Sequence, residues 1–110
     1  ADPRTLQRWS ARVQRWVARE GAWLRRELTA LPCLLPFPSA ANFLLVQGER
    51  QGRPLSLEPL RLGLQNRHRI LVRDCRSFEG LGESWLRIGL RDRSGNRRLL
   101  AGLRRELSRL

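Results

Sequence analysis

Apolar residues recur at three- and four-residue steps along the first third of the chain. Leu6, Trp9, Val13, Trp16, Val17, Leu24, Leu28 and Leu31 follow this spacing, with Arg, Gln and Glu between them. The period predicts one long amphipathic helix from about Thr5 to Leu31. Pro32 stops it, since proline has no N–H to donate and its ring crowds the preceding turn. At 1.5 Å per residue such a helix is ~40 Å long. One small domain is too short to cover it, so its N-terminal half is expected to need another domain or subunit. Trp9, Trp16 and Trp23, seven apart, belong to core or interface packing.

Beyond Pro32 the period shortens. Leu34-Leu35 with Phe37, limited by Pro36 and Pro38, reads as a short edge strand. Ser39 to Asn42 is a turn. Phe43 to Gln47 is apolar on both faces and so is expected to be a central strand. Gly48 to Pro54 reads as a polar loop. Ser56 can cap a second helix, with Pro59 tolerated in its first turn and Leu57, Leu60, Leu62 and Leu64 as its apolar residues. That helix ends near His68. Ile70 to Asp74 is a third strand, Arg76 to Ser84 a glycine-containing loop, and Trp85 to Arg91 a fourth strand. Ser94-Gly95-Asn96 opens a last helix running to about Arg109, with Leu99, Leu100, Leu103, Leu107 and Leu110 on its apolar side. The predicted fold class is α+β: a two-layer sandwich with helices on one face of a small, mostly antiparallel sheet, preceded by the long helix. Residues 1–31 form the linking helix and 32–110 the small domain. The opening Ala-Asp-Pro-Arg-Thr reads as the middle of a longer chain, without a signal peptide.

Composition narrows the chemistry. All 22 basic residues are arginine, and the net charge is +12. A chain without lysine has no side-chain amine to form a Schiff base with a carbonyl cofactor. The charge suggests an anionic partner. The arginines, however, are scattered, with no run longer than two, no glycine-arginine repeat and no zinc-finger spacing. A specific nucleic-acid role is therefore not expected, and an Arg-rich nucleic-acid-binding module stands as the alternative of another class. Cys33 and Cys75 have neither metal-ligand spacing nor a disulfide framework, which fits a reducing, cytoplasmic setting. No apolar run is long enough for a membrane span. His68, without a second histidine or a nearby cysteine, is expected to serve at the surface or as a cap, and no metal site is expected. Glu79 and Glu83 read as solvated loop residues. No Ser/His/Asp set can be assembled.

Strand alternation yields the candidate site. Side chains point alternately to the two faces of a strand. Ile70 and Val72 share one face of the third strand; Leu71 and Arg73 share the other. In the fourth, Leu86, Ile88 and Leu90 oppose Trp85, Arg87, Gly89 and Arg91. Helices covering the apolar side leave Arg73, Arg87 and Arg91 emerging together on the open side. Gly89, between two arginines, leaves room for something to approach. Guanidinium groups gathered in this way suit a carboxylate or phosphate, each giving charge-assisted bonds of roughly 1.5–3 kcal/mol. One residue in five is arginine, so chance clustering is the competing explanation. Asn42, after a turn, is expected to bond local backbone.

Several segments resemble a known family. Ser39-Ala40-Ala41-Asn42-Phe43-Leu44-Leu45-Val46 is similar to the "S-x-x-N-F" opening of the small domain of fold type I, pyridoxal-phosphate-dependent aminotransferase-like enzymes. Ile70-Leu71-Val72-Arg73-Asp74-Cys75, Phe78-Glu79-Gly80-Leu81 and Trp85-Leu86-Arg87-Ile88 resemble that group's C-terminal signature. Asn96-Arg97-Arg98-Leu99-Leu100 resembles its closing "N-x-x-L-L-x-x-L". The resemblance extends over essentially the whole chain. The "R-D-C", the "F-x-G-L" and Arg91 lean toward the threonine-phosphate decarboxylases of cobalamin biosynthesis, with the histidinol-phosphate aminotransferases next.

The resemblance implies that Arg87 binds a substrate carboxylate. It implies that Arg73 and Arg87 together hold the carboxylate and phosphate of an amino-acid phosphate, and alternation adds Arg91 as a third candidate ligand. Asn42 and Gly89 would be structural neighbours. Pyridoxal phosphate would serve the complete enzyme, whose Schiff-base lysine and main cofactor site belong to a large domain absent from this sequence. No catalytic residue is then expected here, and the chain alone should be inactive. Its expected partners are that large domain and a small anionic amino-acid substrate, within a homodimeric parent enzyme.

Overall fold

The protein is described here by a computed structural model covering residues 2–38, 42–75 and 81–110. The first helix, α1, spans Pro3–Thr29. It begins two residues earlier than the apolar period suggests because Asp2 caps it, accepting the Arg4 N–H at 3.0 Å, and Pro3 sits where a missing N–H is harmless. Its C-terminal half is built into the domain through Leu24 and Leu28, both fully buried. Its N-terminal half leaves Leu6, Trp9, Val13 and Trp16 exposed, Trp9 by 65%.

Cys33, in the left-handed region at φ 65°, turns the chain into β1 (Leu34–Pro36). The other strands are β2 (Phe43–Arg50), β3 (Arg53–Pro54), β4 (Arg73–Asp74) and β5 (Trp85–Gly89). They pair antiparallel in the order β1-β2-β5-β4, with β3 folded back on the end of β2. The α+β architecture is therefore the expected one, with β2 central. Helix α2 covers Glu58–His68 and α3 covers Arg93–Leu107. Leu34, Leu44, Val46, Leu86 and Ile88 face the helices and close on Leu57, Leu60, Leu64, Leu99 and Leu103 in one buried cluster. The opposite sheet face carries Phe43, Leu45, Trp85 and Arg87, all half-buried.

Four local expectations are corrected. The segment 48–54 is a hairpin rather than a loop: β2 continues to Arg50, turns over Gln51 and Gly52 at φ 54° and 76°, and returns as β3. Its polar composition reflects a hairpin tip projecting into solvent. Helix α2 has Leu57 in the N-cap position, yet Ser56 caps it as expected from one residue further out, its Oγ accepting the Glu58 N–H at 3.3 Å, and it is Leu62 that departs from expectation by facing water. The third and fourth expected strands, now β4 and β5, are shorter than alternation implies, β5 ending at Gly89. Only Arg73–Asp74 pair in β4, though Ile70 and Val72 are buried as expected. Helix α3 is capped by Asp92, which accepts the Gly95 N–H at 2.7 Å, so Asn96 lies inside the helix and is fully buried. Leu110, beyond the helix, is exposed.

Candidate anion site

The β4–β5 ladder places Arg73 directly opposite Arg87, so both residues belong to the same, helix-free face of the sheet. Asn42, Arg73, Arg87, Gly89 and Arg91, the five residues singled out by alternation and resemblance, all line one open hollow of ≈ 200 Å³, with Phe43 and Leu71 as its apolar walls. Among the described residues, neither Arg73 nor Arg87 is in an ion pair. The Arg87 guanidinium lies over the Phe43 ring, 4.4 Å from its centroid. Stacking occupies one face of the planar group and leaves its N–H edge available for an acceptor. A Cβ at Gly89 would meet nothing within 4 Å, so glycine there keeps the hollow's floor open and relieves no clash. Asn42 is exposed, and its carbonyl accepts the Leu90 N–H at 2.7 Å, fixing the chain where β2 begins.

Arg91 differs from the other two arginines. Its Nη1 donates to the Gly89 carbonyl at 3.0 Å and its Nη2 to the Leu71 carbonyl at 2.8 Å. Burial, and then the charge of Arg98, push its pKa below the usual arginine value.

Two buried carboxylates behind the site went unread at the level of sequence. Glu106 accepts both nitrogens of a forked bond from Arg67, with Nε at 3.0 and 3.1 Å, and stands 2.8 Å from His68 Nε2. Hydrogen bonding from Arg67 outweighs burial and holds the Glu106 carboxyl at about 2. His68 is thus a half-buried hydrogen-bond partner of the buried Glu106 carboxylate rather than a surface group. Glu20 of α1 accepts from Arg93 at 2.7 and 3.0 Å and from Asn96 Nδ2 at 3.3 Å. The bond from Arg93 is the main cause of its lowered pKa. Arg93 also stacks over Trp23 at 3.9 Å. A signal for both acids was present: Glu20 precedes Leu24 and Leu28 at four-residue steps, and Glu106 follows Leu103 by three. Each falls on an apolar stripe.

Ser39 to Ala41 and Arg76 to Gly80, which include parts of two family-like segments and the acid Glu79, lie outside the described residues. Glu83 is exposed, and its carbonyl accepts the Leu57 N–H at 2.8 Å. Among the described residues no group of His, Cys, Asp and Glu could hold a metal, and no helix is long and apolar enough to cross a membrane.

The long helix leading into a small antiparallel sheet with helices on one face is the fold of one class of protein: the small C-terminal domain of aminotransferase-like enzymes. Comparison with known proteins gives the same class. No family model matches the chain. It is 37% identical over 81 residues to the threonine-phosphate decarboxylase of Salmonella typhimurium, a match covering 74% of this chain and 21% of that protein. It is 41% identical over 76 residues to the histidinol-phosphate aminotransferase of Methanothermobacter thermautotrophicus, covering 66% and 19%. Among solved structures, the L-threonine-O-3-phosphate decarboxylase of Porphyromonas gingivalis superposes with a TM-score of 0.76 at 23% identity, covering 86% of this chain and 28% of that one. The histidinol-phosphate aminotransferase of Clostridium acetobutylicum gives 0.75 at 27%, with coverages of 86% and 27%. The chain is a homologue of the fold type I, pyridoxal-phosphate-dependent aminotransferase-like enzymes and has the fold of their C-terminal domain. It spans about a fifth of the length of the curated relatives it matches.

The residues present do not fit the cofactor itself. The chain has no lysine to bond it. The hollow offers donors to an oxyanion and no acid placed to pair with a ring nitrogen among the described residues. No reaction step through pyridoxal phosphate follows from this chain.

Proposed function

We propose that this chain is the substrate-anchoring domain of a larger pyridoxal-phosphate-dependent enzyme. Arg73 and Arg87 grip the anionic groups of an amino-acid phosphate. The reading is carried by their cross-strand juxtaposition, two cations facing each other in one open hollow. Like charges set opposite one another destabilise a sheet unless an anion lies between them. The planar fork of each guanidinium matches a carboxylate or phosphate edge. The favoured activity of the complete enzyme is decarboxylation of L-threonine O-3-phosphate, since one curated relative and one structural neighbour carry that name. Transfer of an amino group from histidinol phosphate is the second reading, favoured by the 41% identity to such an aminotransferase. The lysine, the remaining cofactor contacts and catalysis would come from a large domain, so this chain alone would be inactive. A cytoplasmic homodimer would be the working form.

In the complete enzyme, Arg87→Ala is expected to lower kcat/KM by roughly 30- to 5,000-fold, about 2–5 kcal/mol. Arg87→Lys should also fail, because a point charge replaces a two-pronged donor. A loss below about threefold for Arg87→Ala would remove the assigned role.

A further inference from the structure

Arg91 stands on the rim of the hollow, yet its guanidinium is turned onto backbone. It donates to the Gly89 carbonyl at 3.0 Å and the Leu71 carbonyl at 2.8 Å. Strand pairing sets Arg73 against Arg87, and continuing that register would bring Leu71 against Gly89. The backbone ladder stops at Arg73, however, so no strand hydrogen bond joins those two residues. The Arg91 fork takes the place of the missing rung.

The peptide carrying that fork is itself held. Asn96 Oδ1 accepts the Arg91 N–H at 3.1 Å, and Asn96 Nδ2 donates to the Arg91 carbonyl at 2.9 Å. Asn96 is fully buried, and its Nδ2 also reaches Glu20 Oε1 at 3.3 Å. An unbroken set of bonds therefore runs from α1, through the start of α3, to the open end of the β4–β5 pair. The guanidinium suits this bridge, since its fixed fork holds two diverging donors toward two carbonyls at once.

We propose that Arg91 is a positioning residue that ties Leu71 to Gly89 and so sets the separation of Arg73 and Arg87, rather than a third ligand to the anion. The proposal rests on the reading of Arg73 and Arg87 as anion ligands. Without the strap, the two residues before Arg73 lose their link to β5, and the guanidiniums must be ordered anew each time an anion binds.

The test uses the 110-residue chain with inorganic phosphate as probe, followed by NMR of the arginine Nε–Hε groups. Those of Arg73 and Arg87 should move on titration while that of Arg91 stays in place. An equal movement of Arg91 would make it a ligand and overturn the proposal. Arg91→Ala should weaken phosphate binding about tenfold, yet less than about twofold in an Arg87→Ala background, since there is then no pair to position. The same fold-loss in both backgrounds would also overturn it. Arg91→Gln, which can reach one carbonyl, covers the case in which the alanine variant does not fold and should lose about threefold. Unchanged phosphate binding in Arg73→Ala and Arg87→Ala would sink the anion site and this role with it. A loss there with unchanged binding in Arg91→Ala would sink the role of Arg91 alone.

Discussion

Arg73 and Arg87 face each other across the β4–β5 pair, two cations on the helix-free face of the sheet. Opposed like charges cost a strand pair a few tenths of a kcal/mol up to about 1. Arg73 is exposed and outside any ion pair with a described residue. Arg73→Thr should therefore stabilise the anion-free chain by about 0.5 kcal/mol in urea unfolding, the β-branched side chain helping. The same variant should remove stabilisation by phosphate. In the unsubstituted chain, phosphate at ten times its Kd should add about 1.4 kcal/mol. Destabilisation of the anion-free chain by Arg73→Thr would mean that the pair is not in conflict.

Glu106 ties α3 to α2 through Arg67 and His68, and its folded-state pKa is about 2 against an ordinary 4.5. A carboxyl that ionises more readily when folded contributes stability in full above pH ~4.5, and that contribution is lost as pH falls toward 2. Arg67 is half exposed, so after allowing for screening the loss is about 1–3 kcal/mol. Unfolding free energy measured from pH 6 down to 2 should fall over that window, and Glu106→Gln should flatten the fall. An unaltered acid limb in the variant would assign the titration elsewhere.

Gly63 of α2 lies against that carboxylate. A Cβ there would overlap Glu106 Oε1, with Arg67 Nη2 2.8 Å away. Gly63→Ala improves helix propensity but displaces a buried charge, so it should destabilise by about 2 kcal/mol or more. A stabilised alanine variant in thermal unfolding would show that the ion cluster can move aside.

Arg69 ends α2 in the left-handed conformation at φ 54°, and the Ile70 N–H closes on the Leu64 carbonyl at 3.0 Å. A side chain with a Cβ is strained there, while glycine is not. Arg69→Gly should raise stability by up to about 1 kcal/mol, read as a shift in the urea midpoint with unchanged slope. Loss of stability would show that the Arg69 side chain makes a contact of its own.

Trp9 and Trp16 are exposed on α1, whereas Trp23 packs on the core beneath Arg93. Trp9→Ser should change the stability of the chain by less than about 0.5 kcal/mol, and Trp23→Ala should cost about 2–4. Iodide should quench the Trp9 and Trp16 fluorescence more strongly than that of Trp23. Equal quenching of all three would place Trp23 in water.

The sequence by itself determined the order of every element but β3, the two-layer α+β class and the face on which Arg73 and Arg87 emerge. The reason is local: helical and strand periods sort side chains into faces before any long-range contact forms. It was least informative where polarity hid structure, as in the Gln51-Gly52 hairpin, and where caps compete, since Asp92 and Asn96 are both good capping residues four apart. Only the tertiary structure decided the partners of the buried charges. Arg67 and Glu106 are 39 residues apart, and Glu20 and Arg93 are 73 apart. No local spacing encodes such pairs, because each is chosen by how whole helices dock. The same holds for Arg91. Alternation set it beside its two neighbours as an equal, and the docked position of Asn96 turned its fork onto the backbone instead.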